Sequence, residues 1–530
     1  MPSDAVNSPE VPERPSKQWW GDRLNLRVMS FSRSTWLTIV LVMEVLAVAA
    51  FQFPLVRFDQ FAIFDSGGEL AIQDLIRRGY RPSIDFGYLY GLLPLLVGRI
   101  WYGLAGLTAG TFRIEVMACQ ILTAWGMARF AAYRRIDIVG LALIALAIPD
   151  LLLVTYIGSV QSLEQALLVN ALAEQARGRR GIALALLTAC CFVKPSLAVV
   201  QGLAVVIAIV ADLHRANRSA YLYAFAPAVL TAGFIASILA ATFGLVPLGK
   251  TILPLTGMAI YKFGGFGFFH GIGRNFWVLP HAGLRDYFRY ELGFWALGTA
   301  LLICGALAAV WRRVRGGSTT DGAINDEICA TCAAVHIGFI VLIFGHRNTW
   351  FYSLPMLVFG LAVLAARSPS HRICVLVLVA LLLISDRSKA MDIIRRWKTE
   401  TPSPVTLNLW ANPQEQAEWA MALRLTQGKQ PVLFAMCDGG ALLIPGFAPP
   451  IGGYLVPGNA LPVEVQRKNA QLAAAQMIIS AQPADWPGFT FWPELKATLD
   501  GCEPLMRGQY LRVYRHRAST SAPLDQPDGY

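Results

Sequence analysis

The chain has 530 residues, of which 55% are hydrophobic and only 15% charged, and its mean hydropathy is +0.48. A soluble domain carries about 25% charge, so this composition, with apolar runs near ~20 residues, excludes a soluble protein and predicts a polytopic α-helical membrane protein. The net charge of +11 is assigned to positive-inside loops and anionic headgroups, not to nucleic acid: no basic stripe with interleaved aromatics and no zinc-finger spacing is present.

Residues 1–33 are rich in Pro, Ser and charge and read as a cytoplasmic tail. They lack the apolar core and cleavage site of a signal peptide. Arg14, Lys17, Arg23, Arg27 and Arg33 precede the first apolar run, Thr35–Pro54, which places the N-terminus in the cytoplasm and the next loop outside. That loop, Phe58–Gly91, separates the first run from the second, Leu92–Leu107. It carries Asp59, Asp65, Glu69, Asp74 and Asp85 among Arg77, Arg78 and Arg81, and a short helix is predicted over Gly68–Arg78. Further spans are predicted at Ile114–Tyr133, Ile138–Tyr156, Gly181–Val193, Leu197–Leu213, Tyr221–Phe243, Leu292–Trp311, Ile328–Phe344, Phe351–Ala366 and Ile373–Ser385. Leu163–Ala176, with Glu164, Gln165, Asn170 and Glu174, fits either a short span lining a polar cavity or an interfacial helix. Arg134 and Arg135 favour a cytoplasmic loop, whereas strict alternation puts them outside. Either Leu92–Leu107 is re-entrant or the charge rule fails there.

A second outer loop, Gly244–Tyr290, is rich in Gly and aromatics, and its Lys262, His270 and Arg274 are available to a phosphate. Its glycines and aromatics fit an aromatic belt equally well. After the last span, Arg387–Arg396 is basic and amphipathic, and residues 401–517 read as a small soluble α/β domain outside the membrane. Its helix is predicted at Pro413–Leu425, its strands at Pro431–Ala435, Met477–Ser480 and Gln509–Tyr514, and Asp438 before two glycines as an exposed turn. Residues 518–530 read as a disordered tail. Of the nine cysteines, most lie in or beside apolar runs as small hydrophobes. Cys437 and Cys502 are a candidate bridge if that domain is outside.

A carboxylate beside a membrane serves as a general base or binds a cation. Asp65 is favoured: FAIF precedes it, and Ser66-Gly67-Gly68 after it permits close approach of backbone or substrate. Asp59 is the alternative, and Glu69 lies one helical turn away. A helix cap is the structural alternative for Asp65. A divalent cation at Asp65, Glu69 and Asp85 is left open, because these lack a fixed metal-ligand spacing.

Asp65, the following helix, Gly79-Tyr80, Asp85 and Tyr88-Leu89-Tyr90-Gly91-Leu92-Leu93-Pro94 resemble the first outer loop of the C-class integral-membrane glycosyltransferases. That group includes protein O-mannosyltransferases and lipid A aminoarabinose transferases. Phe192-Val193-Lys194-Pro195 is similar to a Lys-Pro that begins a middle span in that group. The stretch Gly345–Tyr352, with Arg347 and Tyr352, resembles its Arg-x-x-x-Tyr segment, and Gly501–Arg515 its closing strand. The resemblance implies inverting transfer of a sugar from a polyprenyl phosphate donor to an acceptor hydroxyl on a glycan, lipid or protein, at the outer face of the inner membrane. Asp65 would be the base, with Lys194 and Arg347 toward the phosphate. A secondary transporter would show paired broken helices, which this sequence lacks. An O-antigen ligase or polymerase, or a non-enzymatic assembly protein, is the remaining alternative.

Overall fold

The computed structural model describes residues 32–155, 158–213, 218–252, 292–315, 320–342, 353–456 and 459–517. The bundle is built from α1 (Arg33–Phe51), α5 (Ala109–Tyr133), α6 (Ile138–Thr155), α7 (Ser159–Ala176), α8 (Arg180–Cys191), α9 (Pro195–Leu213) and α10 (Arg218–Phe243). It continues in α12 (Leu292–Val314), α13 (Thr320–Leu342), α14 (Leu354–Ala365) and α15 (Pro369–Thr399). At one end lie α2 (Phe58–Ala62), α3 (Asp65–Arg77), α4 (Leu93–Ala105) and α11 (Leu245–Ile252).

Among the described residues, four helices are long and apolar enough to cross a membrane: α1, α10 from Tyr221, α12 from Gly293 and α13 over Asp321–Ile340. Their outer faces expose Val40 and Met43, Leu222 and Phe234, and Leu307. An apolar belt of this kind is stable only in lipid, and helices satisfy their own backbone there. The protein is a polytopic helical membrane protein.

Polar contacts sort the helix ends. Arg33 donates to the Ile136 carbonyl at 2.7 Å, Arg134 to Asn325 at 3.1 Å, and Arg312 pairs with Asp326 at 2.9 Å. Arg372 pairs with Asp137 at 2.9 Å, and Arg180 with Glu327. These gather the starts of α1, α6, α8, α13 and α15 at one basic end. At the other, Trp397 Nε1 donates to the Phe51 carbonyl at 3.1 Å.

Helix α4 has both its ends at that second end. Gln73 of α3 donates to the Leu95 carbonyl at 3.4 Å and Arg77 to that of Tyr102. Trp101 Nε1 then donates to the Thr111 carbonyl at 2.9 Å, in the first turn of α5. The predicted span Leu92–Leu107 therefore does not cross the bundle. Its 13 residues reach about 20 Å at 1.5 Å each, short of a hydrocarbon core of about 30 Å. Arg134 and Arg135 then share an end with Arg33.

Helix α7 settles the other ambiguity. It is buried along nearly its whole length, including Glu164, Gln165, Asn170 and Glu174, so it runs through the bundle and not along an interface. Helix α13 begins eight residues earlier than predicted, because Asp326 and Glu327 find arginines: Arg367 as well as Arg312 for the first, Arg180 and Arg313 for the second. The basic segment Arg387–Arg396 is no separate element but the last part of the 31-residue α15.

The C-terminal part holds β1 (Thr401–Pro402), β2 (Trp410–Ala411), α16 (Pro413–Leu425), β3 (Val432–Phe434) and α17 (Gly439–Leu443). There follow α18 (Pro462–Ala474), β4 (Met477–Ser480), α19 (Pro493–Asp500), β5 (Cys502–Arg507) and β6 (Arg512–His516). Strands β1 and β2 make a small ribbon; the main sheet has the order β3-β4-β6-β5, parallel at β3–β4 and antiparallel elsewhere. Alternation divides its faces. Val432, Phe434 and Ile478 pack with Leu472 of α18 and Leu495 of α19. Leu433, Ile479 and Val513 pack with Trp419 of α16 and with Phe58 and Phe61 of α2. The first loop thus completes this domain's core, with the Phe58 and Trp419 rings edge to face at 5.1 Å. Two expectations are corrected. Asp438 is not an exposed turn: it is buried and pairs with Lys468 at 2.7 Å. Cys437 and Cys502 are free thiols, both buried, because one precedes α17 against the first loop and the other opens β5.

Candidate active site

Asp65 opens α3. Phe64 is the N-cap and offers no side-chain bond to the helix amides. Asp65 is therefore the first helical residue and not a cap, and its charge faces the helix dipole favourably. The helix starts earlier than predicted because Gly67 and Gly68 sit inside it, against the C-terminal domain. A Cβ on Gly67 would lie 2.0 Å from the Phe61 carbonyl oxygen and 2.9 Å from the Gly439 Cα. Only glycine lets the starts of α3 and α17 meet this closely. The Tyr454 hydroxyl donates to the Asp65 carbonyl at 3.1 Å, and the Cys437 N–H to the Ile63 carbonyl at 3.2 Å.

Among the described residues, no hydrogen bond or ion pair engages the Asp65 carboxylate. The side chain is exposed, yet crowding by protein pushes its carboxyl above the usual range. A side chain open to water inside a recess has both properties. The exposure leaves it open to water, and the crowding decides the direction of its shift.

The other acidic candidates are engaged. Asp59 pairs with Arg57 at 3.0 Å, and Arg57 reaches Glu415 at 3.7 Å. Asp85 accepts from the Arg81 N–H at 2.8 Å and faces Arg467 at 3.9 Å. Glu69 accepts from the Ser159 N–H at 2.9 Å and from the Ser159 hydroxyl. Burial pushes its carboxyl up to about 8, the Ser159 bonds work against this, and Glu115 and Asp65 add to it. Among the described residues, no three His, Cys, Asp or Glu side chains gather as a metal site.

Lys194 sits between α8 and α9 and pairs with Glu164 at 3.8 Å. Its ammonium lies 5.8 Å from the centre of the Tyr90 ring. Helix α8 has 12 residues against 18 in α7, a difference of about 9 Å at 1.5 Å per residue. The α8–α9 turn accordingly stops short of the start of α7. The first loop descends to meet it: Gly91 N–H donates to the Val193 carbonyl at 2.9 Å and Leu93 N–H to that of Phe192 at 3.0 Å. A Cβ on Gly91 would be 1.9 Å from the Phe192 carbonyl oxygen. Tyr90 adjoins Tyr88, ring centres 5.8 Å apart, and interacts electrostatically with Tyr454. Tyr454 thus adjoins Asp65, and Tyr90 adjoins Lys194. Lys262, His270, Arg274, Arg347 and Tyr352 lie outside the described residues.

No family model and no curated protein matches the chain. Among solved structures it is similar to ArnT from Cupriavidus metallidurans in the apo state, at 14% identity and a TM-score of 0.46, over 93% of this chain and 100% of that one. The same protein bound to undecaprenyl phosphate is similar at 14% identity and a TM-score of 0.44, with the same coverage. The likeness is distant, so the function has to be argued from this chain's own side chains.

Sequence reasoning missed Tyr454, Ser159 and Glu464. Glu464 Oε2 accepts from Gly87 N–H at 2.8 Å and Leu461 N–H at 3.0 Å, and Oε1 from Gly453 N–H at 3.1 Å. It binds the end of the first loop to the C-terminal domain. Nothing local marks it, since its partner Gly87 is 377 residues away. The one signal was Leu461-Pro462 with Glu464 at the third helical position, a helix start.

Proposed function

We propose that the protein is an integral-membrane glycosyltransferase of the C class. It moves a sugar from a polyprenyl phosphate donor to an acceptor hydroxyl at the outer face of the inner membrane. The observation that carries this reading is the Asp65 carboxylate: exposed, without a partner among the described residues, not used as a cap, and raised in proton affinity. Those are the properties of a general base. Asp65 takes the acceptor proton as the hydroxyl attacks the anomeric carbon from the face opposite the phosphate. The carbon–oxygen bond to the phosphate breaks, and the configuration inverts. Lys194 offers a positive charge beside Tyr90 for the departing phosphate, with Glu164 paired to the ammonium. The Asp65 motif and its Gly79-Tyr80, Asp85 and Tyr88–Pro94 sequel, with their resemblance to the C-class first loop, support the same chemistry.

Extraction of lipids from cells lacking the protein tests the donor class. A polyprenyl phosphate sugar should accumulate and disappear on complementation. Unchanged levels of every such lipid would overturn the assignment.

A further inference from the structure

Resting on that reading, we infer that α7 is a spacer that sets the distance between base and phosphate site, and that Glu69 and Glu164 are its two positioning residues. Helix α7 is touched from both sides of the reaction. At its first turn, the Ser159 N–H and hydroxyl are held by Glu69, which is on the helix that opens with Asp65, one turn away. Farther along, Glu164 holds Lys194 at 3.8 Å. Both carboxylates are buried, Glu69 at 9% and Glu164 at 0% exposure.

A polar group in such surroundings is costly unless it is hydrogen-bonded or paired, so Glu69 on Ser159 and Glu164 beside Lys194 each have a preferred arrangement. Glu69 also lines a small cavity with Tyr88, Tyr102 and Ser159, beneath α4. Among the described residues, the buried Tyr88 hydroxyl has no hydrogen-bond partner there. The other polar bonds of helix α3 on this side, from Gln73 to the Leu95 carbonyl and from Arg77 to that of Tyr102, run to α4, so it is the Glu69–Ser159 bonds that tie the helix of Asp65 to α7. Gly158 leaves room for the clamp: a Cβ there would be 2.6 Å from Glu69 Oε1.

The test is transfer kinetics of purified full-length protein with a polyprenyl phosphate sugar, alongside amide hydrogen exchange of α3 and the start of α7. In Glu69→Ala, kcat should fall about 10- to 100-fold, the scale of a misplaced reacting group. KM for the donor should stay within about twofold, and exchange should rise over 65–77 and the first turn of α7. Glu69→Gln should restore most of kcat, because an amide oxygen still accepts from Ser159. Unchanged kcat and exchange in folded Glu69→Ala would overturn the inference. So would Glu69→Gln as impaired as Glu69→Ala, which would assign the effect to charge and not to position. Wild-type protein without transfer would defeat the glycosyltransferase reading alone, while unchanged exchange in Glu69→Ala would defeat the clamp alone.

Discussion

Two carboxylates one turn apart on α3 have opposite fates, and the difference lies in their neighbours. Asp65 meets water; Glu69 meets Ser159 and protein. A carboxyl whose affinity rises on folding takes up a proton as the chain folds. Its contribution to stability is complete at low pH and is lost as pH rises through the folded value. For Glu69 the window runs from the ordinary value of 4.5 to about 8. Melting curves of wild type and Glu69→Gln should coincide at acid pH and separate toward ~pH 8 and above, with wild type the less stable. Parallel curves across that range would contradict the assignment. Asp438 gives the second outcome at this scale. Asp438→Asn leaves Lys468 buried beside a neutral amide, and loss of one partner of such a pair costs about 3–5 kcal/mol. A large drop in melting temperature is expected, with near-normal turnover per folded molecule. Asp65 was legible in the sequence because its surroundings, FAIF before and Ser-Gly-Gly after, are local. Glu69 could only be placed one turn away, since Ser159 is 90 residues distant.

Helices were legible wherever apolar residues ran on without interruption, and their roles were not. Hydropathy gave Leu92–Leu107 the appearance of a span. Gln73, Arg77 and Trp101, which pin α4 at one end of the bundle, do so through carbonyls that no sequence pattern marks. Charge carried the missing information, because Arg134 and Arg135 belong with Arg33. Single cysteines at Arg81, Gly110 and Arg179 check this in a background without reactive thiols. A membrane-impermeant reagent should label the first two from one side and the third from the other. Labelling at Gly110 from the side of Arg179 would make α4 a crossing helix.

In the whole molecule, the C-terminal domain and the first loop share one core. Phe58 and Phe61 fill the domain's core, Tyr454 holds the backbone of Asp65, and Glu464 holds that of Gly87. Strands β3, β4 and β6 were legible from composition, with Met477–Ser480 placed to the residue, but the ribbon β1–β2, the division of Gly501–Arg515 into the antiparallel pair β5–β6 and the sharing of a core were not. The shared core depends on contacts between the two ends of the chain. Glu464→Ala removes the acceptor for the N–H groups of Gly87, Gly453 and Leu461, and should cost roughly 2–4 kcal/mol. Thermal unfolding followed at the first loop and at the domain should shift together; independent transitions would separate the two.

The central claim is that the exposed carboxylate of Asp65 is the base. Asn is nearly isosteric, and α3 does not use the Asp65 side chain as its cap, so Asp65→Asn removes the proton acceptor and spares the fold. The deciding measurement is turnover of purified Asp65→Asn with a polyprenyl phosphate sugar, beside its melting temperature. A folded protein with turnover lower by about 10²–10⁴-fold is the expected result; a folded protein with near-normal turnover would contradict it.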